Sequence, residues 1–117
     1  MIENDRNLAD EMNHYKPGDG ELAVWWMGQS GFLVKSRDCC ILFDPYLSTS
    51  LEDMTRNSPV IQHIRMMPIP VQPSWITCVD YILCSHDHKD HYDRDTVIPV
   101  LKANPGARIV IPFSARP

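Results

Sequence analysis

Apolar residues recur along this 117-residue chain in two different rhythms. Leu8 and Met12 fall four apart, on one face of a helix that Asn4 or Asp5 can cap. Lys16-Pro17-Gly18-Asp19-Gly20 reads as a turn. Beyond it the period shortens to that of strands. Glu21 to Met27 is rich in strand formers, Gly28-Gln29-Ser30-Gly31 is a tight turn, and Phe32 to Lys35 returns. Ser36-Arg37-Asp38 turns again into Cys39 to Phe43, which stops at Asp44-Pro45. Three short strands joined this way predict an antiparallel meander at the edge of a larger sheet. Trp25 and Trp26 must point to opposite faces, one into the core and one toward a helix or a partner.

The next stretch has no clear period. It carries Pro59, Pro68, Pro70 and Pro73, allows one short helix near Leu51 to Arg56, and predicts a functional or flexible loop. Val79 to Cys84 is a mostly apolar run of the kind found in buried strands. Asp93 is placed to cap a helix through Thr96, Val97, Val100 and Leu101, with Pro99 working against it. Pro105-Gly106 ends that helix, and Arg108 to Ile111 is the last strand. Ser114 is suited to cap one more helix. A strand-helix-strand unit stopping there leaves a sheet face short of cover, so the sequence reads as the front portion of a longer fold. The divisions expected are 1–19 (helix and turn), 20–45 (edge strands), 46–78 (long loop) and 79–117 (strand, loop, helix, strand), all in one incomplete domain.

Composition narrows the function. With 44% apolar residues the chain can build one core, and its length is too short for two domains. A net charge of −4 offers no footprint for phosphate contacts, so nucleic-acid binding is not expected. No apolar stretch is long enough for a membrane span, and the acidic first residues do not resemble a signal peptide. The four cysteines lack C-x-x-C spacing and are expected to be reduced, small core residues of a cytoplasmic protein. An uncovered sheet face also favours self-association into a homo-oligomer.

The chemistry is concentrated in Ser85-His86-Asp87-His88-Lys89-Asp90-His91. Residues two apart in an extended segment project to one side, so His86 and His88 can converge on one ion. Asp90 and His91 continue around the turn and can reach a second. Imidazole and carboxylate suit zinc, manganese or iron. Residues 80–95 hold five acidic and two basic side chains, a setting that favours a divalent cation over a solvated surface loop or a pH-sensing cluster.

These residues resemble the H-x-H-x-D-H signature of the metallo-β-lactamase superfamily. Leu22 to Gly31 and Val79 to Leu83 are similar to the branch containing bacterial L-ascorbate-6-phosphate lactonase. The resemblance, over about residues 20–112, implies a four-layer αββα sandwich of which this chain is about the first half. It implies a hydrolase with zinc or manganese, two ions in the complete site, acting on a small-molecule lactone or ester of a phosphorylated sugar acid. His86 and His88 would hold the first ion, Asp90 and His91 the second. Asp90 would also orient or deprotonate the attacking water. Asp44 matches the family's early strand-end aspartate, whose role is to order the metal loop by hydrogen bonding. The family's later ligands have no counterpart, since no histidine follows His91. Two alternatives stand beside this reading: a phosphodiesterase like N-acylphosphatidylethanolamine phospholipase D, and a truncated, non-catalytic remnant.

Other features carry less. His63 reads as a solvated loop residue, His14 as structural and Arg65 as solvent-exposed. Pro70-Val71-Gln72-Pro73 reads as a stiff loop segment and not a recognition motif.

Overall fold

Three strands joined by two tight turns build the expected meander, and two further strands extend it. The computed structural model describes residues 5–60, 62, 64–65, 67–89 and 91–115. Strands β1 (Ala23–Trp26), β2 (Phe32–Lys35) and β3 (Cys40–Phe43) are antiparallel neighbours. Then β4 (Tyr81–Leu83) adds parallel to β3, and β5 (Arg108–Val110) parallel to β4, giving the order β1-β2-β3-β4-β5. The first turn closes with the Met27 amide on the Gly31 carbonyl at 2.9 Å. Gly28 sits there at φ +93°, a conformation that a Cβ would strain.

Helix α1 (Arg6–His14) starts at Asp5, whose side chain accepts from the Leu8 amide at 3.1 Å. Its buried Ala9 and Met12 join Leu33, Cys40, Leu42 and Ile82 of the sheet in one core cluster, together with Val97 and Val100 of α3 (Arg94–Ala103). Pro99 lies inside α3 without ending it. Burial of Thr96, Val97 and Val100 on the same helix offsets the missing hydrogen bond. Asp93 occupies the N-cap position, but its carboxylate does not cap. It accepts from the hydroxyls of Ser48 (2.6 Å), Ser50 (2.7 Å) and Thr96 (2.6 Å), tying α3 to the chain before the short helix α2 (Ser50–Thr55).

The long segment after β3 is not merely a loop. Tyr46, Leu47, Ile69 and Val71 are buried in it, so it straps across the core. Arg65 is half-buried rather than solvent-exposed. Its Nη1 donates to the carbonyls of Tyr46 (2.8 Å) and Ser48 (3.3 Å), which holds the strap to itself. After β5 the chain forms a 3-10 turn, Phe113–Ala115.

The two faces of the sheet differ. Trp25 lies under α1, giving its indole N–H to Glu11 at 3.1 Å and packing edge-on against Tyr15. Trp26 points the other way and is 59% exposed. Strand register places Val24, Phe32, Tyr81 and Val110 on that same open face, all exposed. The apolar run at 79–84 therefore is not buried on both sides: in β4 only Ile82 is fully covered. The molecule has one layer of helix on one layer of sheet, half of a four-layer αββα arrangement.

Candidate metal centre

Parallel pairing of β3 with β4 brings two strand ends out at the same edge. The Asp44 amide donates to the Leu83 carbonyl at 2.9 Å, so the chain just past β3 lies beside the chain just past β4. Asp44 turns away at φ +42°, a left-handed conformation that aspartate tolerates better than most residues. The turn aims its carboxylate at the histidine loop. Oδ1 accepts from the Ser85 amide at 2.6 Å, and Oδ2 accepts from the Ser85 hydroxyl at 2.7 Å and from His91 Nδ1 at 3.0 Å. Burial on its own would raise the Asp44 pKa. The hydrogen bonds from His91 and Ser85 outweigh it and hold the carboxyl below its ordinary value.

A tight turn gathers the three histidines. The amides of His91 and Tyr92 both donate to the His88 carbonyl, at 2.9 and 2.8 Å. The His86 ring lies 3.8 Å from that of His91 and 4.7 Å from that of His88, centroid to centroid. His91 is largely buried, His86 half-buried and His88 exposed.

The hydrogen bonds also set tautomers. The Ser85 hydroxyl has one proton, given to Asp44, so its 3.0 Å contact with His86 is an acceptance from Nδ1–H. His91 likewise gives Nδ1–H to Asp44. With such a ring neutral, Nε2 carries the lone pair, the form a divalent cation needs. Imidazole nitrogens in this form are donors for a divalent cation.

Of the sequence candidates, Asp44, His86, His88 and His91 come together. Asp90 and His63 lie outside the described residues. Among the described residues no group of three or more His, Cys, Asp or Glu side chains is arranged to hold an ion, so the histidine loop offers a partial set. His14 bonds the Asp10 carbonyl at 2.9 Å, within its own helix. Ser85, which links Asp44 to His86, is the member of this arrangement that sequence reasoning passed over. Its only signal was its place between the apolar strand and the first histidine.

Known proteins resemble this chain over most of its length. A family model described as the beta-lactamase superfamily domain matches residues 23–111. An uncharacterized protein of Mycobacterium tuberculosis, Rv0906, is 37% identical over 89 residues, covering 76% of this chain and 23% of the relative. A probable L-ascorbate-6-phosphate lactonase, UlaG, of Salmonella paratyphi B is 26% identical over 110 residues, covering 81% of this chain and 31% of the relative. The chain thus spans about a quarter to a third of the length of the curated relatives it matches. Among the described residues no helix is long and apolar enough to cross a membrane.

Proposed function

The chain belongs to the beta-lactamase superfamily, and from that premise we propose that it forms part of a metal-dependent hydrolase opening a lactone or ester of a phosphorylated sugar acid. In this reading His86 and His88 serve one zinc or manganese ion, and Asp90 and His91 serve a second. The observation that carries it is the relay from Asp44 through Ser85 and His91, which presents Nε2 lone pairs from two adjoining rings. The substrate class is supported by the similarity to the probable L-ascorbate-6-phosphate lactonase of Salmonella.

A bound divalent ion would supply Lewis acidity and a water of lowered pKa. The chain's own residues do the rest. Asp44 fixes the ring of His91 and the backbone at Ser85, and Ser85 fixes the ring of His86. Asp90 is assigned to orient the attacking water and take its proton.

The test is elemental mass spectrometry of the purified chain after dialysis against zinc or manganese, followed by an assay on a phosphorylated sugar lactone. The wild-type chain is expected to retain metal and a His88→Ala chain to retain less. Equal metal content in the two would remove the basis for the assignment.

A further inference from the structure

Two cysteines far apart in sequence meet where β3 begins and the chain enters β4. Cys40 Sγ lies 3.6 Å from Cys78 Sγ, with both thiols reduced. A disulfide bond measures about 2.05 Å, so the sulfurs need to approach by only about 1.5 Å.

The backbones around them are held in place. Cys40 donates its amide to the Asp80 carboxylate and accepts the Asp80 amide at its carbonyl, both at 2.9 Å. On either side of Cys78, the Thr77 amide is taken by Asn13 Oδ1 at 2.9 Å and the Val79 amide by Asn104 Oδ1 at 3.0 Å. This scaffold keeps the pair together without a covalent bond between them.

We propose that Cys40 and Cys78 are a redox-active dithiol that closes to an intramolecular disulfide at the expense of a low-molecular-weight disulfide. The two thiols differ in access. Cys40 is 2% exposed, whereas Cys78 is only partly buried and is the point of entry. The Lys35 ammonium lies near the pair and favours a thiolate there. The Cys78 thiolate attacks one sulfur of the reagent disulfide and expels a thiolate, leaving a mixed disulfide. The Cys40 thiol then gives up its proton to the expelled thiolate. Cys40 Sγ attacks Cys78 Sγ, expelling the second reagent thiolate, which takes a proton from water. The protein is oxidised by two electrons, and the reagent is reduced to two thiols. The new bond closes the loop 40–78 and fastens the entry of β4, the strand whose far end leads to His86.

Incubation of the native chain with excess glutathione disulfide, alkylation of remaining thiols and peptide mapping test this. The wild-type chain is expected to lose two of its four alkylatable thiols, to gain no glutathione and to yield a peptide pair joined through Cys40 and Cys78. A Cys39→Ser chain is expected to form the same link. A persistent glutathione adduct, a link through Cys39 or Cys84, chains joined only to each other, or four thiols still alkylated would each overturn the proposal. The wild-type mapping decides this without a variant that alters the pair.

Discussion

An Asp44→Ala chain is expected to lose about 2–4 kcal/mol of folding stability and to bind zinc about 10–100-fold more weakly than wild type. The carboxylate is 8% exposed and accepts three hydrogen bonds, from the Ser85 amide, the Ser85 hydroxyl and His91. Alanine leaves those three donors without their acceptor. It also places a methyl-bearing residue at φ +42° with no side-chain compensation. The metal effect follows by a different route. Without Asp44, the His91 Nδ1–H loses its carboxylate acceptor, and Ser85 is released to rotate away from His86. An Asp44→Gly chain separates the two contributions, since glycine accepts the backbone conformation and still lacks the acceptor. Urea unfolding and zinc titration of the three chains measure both effects. Wild-type zinc affinity in Asp44→Ala would show that Asp44 does not position the histidine loop.

Asn104→Ala is the second large effect expected, at about 2–4 kcal/mol. Asn104 is 7% exposed and its amide is fully used. Nδ2 donates to the carbonyls of Ile76 (2.7 Å) and Val100 (2.8 Å), while Oδ1 accepts the Val79 amide at 3.0 Å. One side chain at the end of α3 thereby satisfies three backbone groups, two of them on the strap that leads into β4. Alanine removes both donors and the acceptor at once. An Asn104→Asp chain keeps the acceptor for Val79 and loses the donors, so it is expected to fall on the same side as alanine. Chemical denaturation followed by circular dichroism checks this. A loss below about 1 kcal/mol would mean that those carbonyls find water or other partners.

Much of the fold could be read from local pattern. The alternation at 21–43, with its glycine and polar turns, predicts the meander because each strand pairs with its nearest neighbour in sequence. The capping of α1 and the histidine loop were also readable, since their parts lie within a few residues. What local pattern could not supply were contacts across long separations. Nothing near Ser85 says that Asp44 will meet it, because parallel pairing of β3 with β4 creates that neighbourhood. The Cys40–Cys78 contact and the three bonds of Asn104 arise in the same way. Asp93 looked like a helix cap by its spacing. Two hydroxyls brought in by tertiary structure, Ser48 and Ser50, and the local hydroxyl of Thr96 outcompeted the backbone amides for its carboxylate. Arg65 looked exposed because nothing in the sequence fixes its position, and only the strap's path reveals the carbonyls it holds.

The open side of the sheet, with Val24 57% and Trp26 59% exposed, has a consequence at the bench. Environment-sensitive dyes that fluoresce on apolar surfaces are expected to bind the folded chain, not only the unfolded one. A dye-reported melting curve would then begin bright and could lose signal on heating, reversing the usual trace. Trp25 offers an internal reporter free of that problem. Its indole is held between Glu11 and Tyr15, so its emission should shift when the helix leaves the sheet.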